Sequence, residues 1–189
     1  MEADVLDRAR RGDERACTIV VEEYREAVFR LAYLLLGDAD DAEDVAQEVF
    51  IRALRNLHRY DPERDFQPWL MSITANLARN RQRSLGRYWS ALRRFAQQVV
   101  PASPVTPEAR SAQAAEAHNL WQAVRCLETN EQEIIYLRYF LDMPVAETSQ
   151  ALNIAPGTVK SRSHRALKRL RQVIERDFPQ LAETYNGRI

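Results

Sequence analysis

Apolar side chains recur at three- and four-residue steps along most of this chain, and nowhere do they sustain the two-residue alternation of a strand. The spacing predicts helices over residues 2–11 and 14–36, parted by Gly12-Asp13 as a break and cap. Gly37 ends the second helix, and Asp38 or Asp40 caps a third that runs to about Leu57. In that helix Ala42, Val45, Ala46, Val49, Ala53 and Leu57 form one buried face. His58–Asp65, HRYDPERD, holds a proline and reads as a loop. A fourth helix is expected from about Pro68 to Ser84, with Trp69, Leu70, Ile73 and Leu77 inward. From Gln97 to about Ala115 the pattern fails; QQVVPASPVTPEARSAQAA has three prolines within seven residues, which is linker composition. Periodicity returns with Leu120, Trp121, Val124 and Leu127, then Ile134, Ile135, Leu137 and Leu141.

The stretch from Asp142 to Arg171, DMPVAETSQALNIAPGTVKSRSHRALKRLR, predicts two helices around a tight turn. Pro156 suits the first turn of a helix, where its missing N–H would be unpaired anyway. Asn153 stands at the turn and tolerates a left-handed backbone better than most residues. Leu152, Ile154, Val159, Ala166, Leu167 and Leu170 are the expected packing positions. The fold expected is therefore all-α. Two small helical domains, residues 1–96 and 116–189, are joined by a flexible Pro-containing linker at 97–115, and the second ends in a helix-turn-helix.

Charge adds what periodicity cannot. The chain carries 27 basic and 27 acidic side chains in 189 residues, so only their sorting is informative. Between Gly157 and Arg171 lie Lys160, Arg162, Arg165, Lys168, Arg169 and Arg171, with no acid. A helix-turn-helix pushes such a helix into the major groove, which turns Thr158, Lys160, Ser161, Arg162, His164 and Arg165 toward base edges or phosphates. The plainer alternative is a solvated basic hairpin. Asp38–Glu48, DADDAEDVAQE, is the reverse, with six carboxylates and no base. It reads as a partner surface or as a solvated helix start favoured by the helix dipole. Phe66–Pro107 has no acid at all, and Arg79, Arg81, Arg83, Arg87, Arg93 and Arg94 are interleaved there with Trp69, Tyr88, Trp89 and Phe95. Cations beside aromatics suit single-stranded nucleic acid.

Other classes recede. Cys17 and Cys126 fit no metal or redox spacing, and a reduced cytoplasmic protein is expected. The N-terminal MEADVLDRARRGDERA is too polar for a signal peptide, and Leu31–Leu36 is too short to span a bilayer. The three histidines are scattered, and no phosphate loop or nucleophile–base arrangement emerges. No cofactor, metal or enzymatic activity is expected.

Three segments in series resemble the bacterial sigma factors of the extracytoplasmic-function (ECF) group. DAEDVAQEVFIRAL looks like that family's core-polymerase-binding helix, and FQPWLMSITANLARNRQR like the helix that opens and reads the −10 element. PVAETSQALNIAPGTVKSRSHRALKRLR is similar to its −35-reading helix-turn-helix. The resemblance covers nearly the whole chain, and it implies contacts residue by residue. Asp41, Asp44, Gln47 and Glu48 would dock on core RNA polymerase. Asn76 and the loop containing Tyr60 would receive a flipped-out base, with Arg79, Asn80 and Arg83 on the backbone nearby. Thr158, Lys160, Ser161, Arg162, His164 and Arg165 would meet −35 DNA, with Lys168 and Arg169 on phosphate. The partners implied are core RNA polymerase, promoter DNA and an anti-sigma factor, with no membrane insertion and a monomer when partner-free. The chain departs from the family at Thr148, Ser149 and Ser163, and Ala155 replaces the usual Ser cap. A softened helix-turn-helix is expected from these changes.

Overall fold

The computed structural model describes residues 3–95 and 112–186, with side chains over 4–84 and 115–182. Among them every regular element is helical, in keeping with the periodicity. Helix α1 (Ala3–Arg10) stops at Gly12, and Asp13 starts α2 (Glu14–Leu36). The Asp13 carboxylate accepts from the backbone N–H of Arg15 at 2.9 Å and of Ala16 at 3.2 Å, while Arg8 of α1 grips it at 2.7 Å. One aspartate thus caps a helix and fixes the angle between two. Gly37 leaves α2 at φ +80°, and its N–H donates to Tyr33 O at 2.8 Å. That left-handed conformation is one glycine adopts without penalty. Asp38 then caps α3 (Ala39–Arg55) by accepting from Asp41 N at 2.9 Å.

A short 3₁₀ turn at Leu57–Arg59 and the loop to Asp65 lead into α4 (Phe66–Phe95). This helix continues well past the expected end at Ser84. No proline interrupts residues 69–100, and the single Gly86 costs only about 1 kcal/mol in a helix interior. Residues 96–111, most of the expected linker, lie outside the described residues. Its last part is already helical, because α5 (Ala112–Arg125) begins in a run of good helix formers. Helix α6 (Thr129–Ile135) passes into a π turn at Tyr136–Phe140. Helices α7 (Val145–Leu152), α8 (Pro156–Asp177) and α9 (Pro179–Asn186) complete the chain.

In the N-terminal half α2, α3 and α4 enclose Leu31, Leu35, Val49, Leu57, Leu70 and Met71. In the second half α5, α6 and α8 enclose Val124, Ile135, Leu137 and Ala166. The two apolar cores are continuous. Helix α7 lies on α4, and Trp121 of α5 stacks on Tyr33 of α2 with ring centroids 5.6 Å apart and planes 12° apart. Trp121 Nε1 also donates to Leu34 O at 3.3 Å. The halves are closed on one another.

Candidate polymerase and nucleic-acid interfaces

The acidic segment divides between two faces of α3. Asp41 is largely covered and accepts both Nε and an Nη of Arg81 on α4, at 2.8 and 2.5 Å. The same guanidinium lies 3.5 Å from Asp44, whose side chain is 69% exposed. Glu48 is half-exposed and pairs with Arg52 one turn on, at 2.5 Å. Asp41 therefore ties α3 to α4, whereas Asp44 and Glu48 keep their exposed carboxylates on the outer face of α3. Gln47 sits apart from these three, on the rim of a groove of about 780 Å³ between α2 and α3. The groove's floor is apolar, with Val21, Phe29, Ala46 and Phe50, and Glu22, Glu26, Glu43 and one cation, Arg25, stand along its edge. Ile51, at one end, is 45% exposed. The sequence reading missed the α2 side of this groove, although Phe29 and Glu26 belong to a helix it placed correctly.

A smaller hollow of about 350 Å³ lies where the end of α3 meets α4. Asn76 and Asn80, one turn apart, project into it beside Trp69 and Ile73, and Arg52, Asn56 and Arg59 close the other side. It offers an aromatic wall, two side-chain amides and three cationic or polar groups, enough to stack and hydrogen-bond one unstacked base. The adjoining loop is braced from within. Arg10 donates to Tyr60 O at 2.6 Å, and the Tyr60 hydroxyl donates to Arg64 O. The Tyr60 ring is buried among Phe66 and Trp69, centroids 5.3 and 5.4 Å away. Burial foremost, then Asp65 and Asp61, holds its phenol above the ordinary range. Tyr60 shapes the hollow from beneath rather than lining it. Arg59 belongs to the loop expected to receive the base, whereas Arg52 and Asn56 went unremarked in the sequence, where the one available signal was the basic end of an otherwise acidic helix.

The helix-turn-helix forms as its turn chemistry predicts. Asn153 adopts φ +52°, Pro156 occupies the first turn of α8, and Ala155 supplies no side-chain cap. Ala155 already has the extended backbone of an N-cap (φ −61°, ψ 146°). Replacing it by serine is therefore expected to stabilise the second half by about 1 kcal/mol, read as a higher urea midpoint. The inward stripe of α8 is Val159, Ser163, Ala166, Leu170 and Val173. Leu167, expected to pack, is instead 42% exposed, because it lies about 100° around the helix from Ala166. Lys160, Ser161, His164, Arg165, Lys168 and Arg169 are exposed along the opposite side, and Thr158 and Arg162 are half-covered. Arg169 is shared with Glu128 and Glu131 at 3.4 and 3.8 Å.

Arg79 and Arg83 do not join Asn76 and Asn80. They face the second half across a cleft that also holds Arg162 and Glu133. Arg79 Nε donates to Glu133 Oε1 at 2.5 Å, and the Glu133 side chain is only 7% exposed. Burial raises the Glu133 carboxyl above its usual range, against the pull of Arg79, Arg162 and Arg83. Among the described residues no cluster of His, Cys, Asp and Glu has the arrangement of a metal site, and no helix is long and apolar enough to cross a membrane.

Two family models match the chain, Sigma-70 region 2 over residues 20–88 and Sigma-70 region 4 over 117–170. The first spans the acidic helix, the hollow and most of α4; the second spans α5 to the basic part of α8. Over 176 residues the chain is 32% identical to the ECF RNA polymerase sigma factor SigW of Bacillus subtilis, covering 88% of this chain and 93% of that one. The ECF sigma factor BldN of Streptomyces coelicolor is 29% identical, over 92% of this chain and 66% of its own length. In three dimensions the chain is similar to CnrH, solved with the cytosolic domain of CnrY, with a TM-score of 0.70 at 24% identity over 93% and 97% of the two chains. It is also similar to RpoE of Bartonella quintana, solved with the anti-sigma factor NepR, with a TM-score of 0.65 at 22% identity over 85% and 97%. With both sigma regions matched in order and SigW aligned almost end to end, the chain belongs to the ECF family of RNA polymerase sigma factors.

Proposed function

We propose that this chain brings core RNA polymerase to a defined set of promoters, grips −35 DNA with α8, and helps melt the −10 region with α4 and the hollow at its start. Residues 1–96 and 116–189 act as the two grips, with 97–115 as the tether. The observation that carries the reading is the hollow between α3 and α4, which is large enough to admit a base and is walled by Trp69, Asn76 and Asn80. It lies on the same chain as a basic recognition helix, and a pocket able to take an unpaired base would serve a protein that opens the duplex rather than one that only reads it. The exposed acids of α3 dock on the polymerase. Lys160, Arg165, Lys168 and Arg169 supply salt-dependent affinity for phosphate, and Thr158, Ser161, Arg162 and His164 contribute to the choice of sequence. No chemistry is asked of the chain itself; catalysis stays with the polymerase, and both work in the cytoplasm. Because CnrH and the Bartonella RpoE were solved with CnrY and NepR, we extend the same mode of control to this chain, with an anti-sigma protein that covers the surfaces meant for polymerase and DNA.

Transcription in vitro tests this directly. Purified core polymerase with this chain is expected to start at discrete sites on a genomic template library, and neither component alone should do so. A chain that never co-purifies with core polymerase would remove the proposal's foundation.

A further inference from the structure

The seam between the two halves contains an ion pair that the sigma role does not require. Arg79 stands on the DNA-facing helix α4, yet its side chain, 32% exposed, is taken at 2.5 Å by the buried Glu133 of α6. Arg83 and Arg162 border the same cleft, so the Glu133 carboxylate faces three arginines, two from α4 and one from α8. A phosphate would attract those same groups. We propose that in the free chain Glu133 stands in for a promoter phosphate, so that closure of the two halves and engagement of DNA by α4 exclude one another. The inference rests on the reading of α4 as a −10 contact.

Two further features bear on this. On one side the clasp is reinforced away from the DNA surfaces. Arg125 lies over Trp121 at 5.0 Å from the ring centroid and against Gly37, at the carbonyl end of α2 where a cation is favoured. On the other side the seam is not built to be permanent. Glu147 of α7 shares a cleft with Asp65, a like charge from the other half, with Arg64 also on the cleft wall. A largely buried ion pair also returns little net stability, because desolvation offsets most of its attraction. The clasp thus rests on contacts none of which is individually strong, as a displaceable closure requires.

The test uses the full-length chain and a short fluorescein-labelled single-stranded DNA. Wild type should scatter X-rays as a compact particle with a radius of gyration near 16 Å, the value for a folded chain of this length. Arg125→Glu places a carboxylate against the carbonyl end of α2 at an exposed position, so the fold should survive. It is expected to enlarge the radius and tighten DNA binding by the free chain about fivefold, although it makes the chain more acidic. Glu133→Arg, if it folds, should do the same more strongly. Glu175→Arg, which adds the same positive charge on an exposed turn of α8, should leave the radius unchanged. An already extended wild type, or an enlarged Arg125→Glu that gains no DNA affinity, would overturn the proposal. The transcription assay above reports separately on the sigma reading, since it depends on added core polymerase and not on the radius or DNA affinity of the free chain.

Discussion

Reversing Asp44 and Glu48 together to arginine is expected to weaken association with core RNA polymerase about a hundredfold while leaving the fold intact. Both side chains are well exposed, at 69% and 44%, so neither substitution opens a cavity. The local cost is modest: Asp44→Arg gives up a 3.5 Å contact with Arg81 and brings a second cation toward it, although Asp41 still holds that guanidinium. Glu48→Arg loses one i,i+4 pair with Arg52 and sets two cations a turn apart, a few tenths of a kcal/mol. At the interface the sign matters more. A face that meets a complementary partner is turned against it at two positions, and like charges juxtaposed across an interface cost several kcal/mol. A hundredfold loss corresponds to about 2.7 kcal/mol, within that range. Asp41 is a poor place to make the same point, because its carboxylate holds Arg81 and its loss would loosen α3 from α4. Competition binding to core polymerase, alongside a circular dichroism melt, measures both halves of the expectation. A double variant that melts as wild type and still binds at full strength would move the docking surface elsewhere, with the apolar groove around Phe29 and Phe50 next in line.

What could be read from the sequence was local, and the reason is physical. Asp13, Gly37, Asn153 and Pro156 each act on backbone groups within four residues, so residue type and spacing were enough to place them, and they narrowed the cap of α3 to Asp38 or Asp40, of which Asp38 is the one used. The span of α2 and the inward stripe of α3 followed from helical periodicity in the same way. The clasp was beyond reach for the opposite reason. Glu133 and Arg79 are 54 residues apart, and nothing in TNEQEII distinguishes a buried carboxylate from a solvated one. The π turn at Tyr136–Phe140 shifts the register, so Tyr136 is fully buried while Tyr139 is exposed. A straight 3.6-residue wheel does not anticipate that shift.

The departures in the helix-turn-helix show the same division. Thr148 and Ser149 suggested softened packing, yet both hydroxyls donate to backbone carbonyls, of Met143 at 3.4 Å and Ile154 at 2.6 Å. Their polarity is accommodated. Ser163 is the one that matters, since its hydroxyl is buried without a hydrogen-bond partner among the described residues. The expected weakness of this unit therefore comes down to Ser163 and the uncapped Ala155, both on α8. A recognition helix with those two defects gains most from being held in place by polymerase.

The second large effect is expected at the hollow. Replacing Trp69 by leucine and Asn76 by alanine together should slow open-complex formation on duplex promoters by about a hundredfold or more. Stacking of an unpaired base on an aromatic contributes about 1–3 kcal/mol, and a side-chain amide that reads a base edge contributes a similar amount. Leucine is chosen because Trp69 also packs on Tyr60 and Phe66, and an apolar replacement retains part of that contact. Asn76 is exposed, so its truncation carries little structural cost. The defect should appear in permanganate reactivity of −10 thymines and not in initial duplex binding, because α8 is untouched. A template melted in advance across the −10 region separates the two roles the hollow could have. If it captures a base once the duplex opens, the pre-melted template restores much of the rate, since the unstacking cost has been removed, but complexes on it still dissociate faster than wild type. If the hollow only braces the loop above it, lifetimes on the pre-melted template equal those of wild type, and the base-capture reading fails. Arg79→Ala makes the matching contrast. It should reduce lifetime on both templates alike, because a phosphate contact is indifferent to whether the bases are paired.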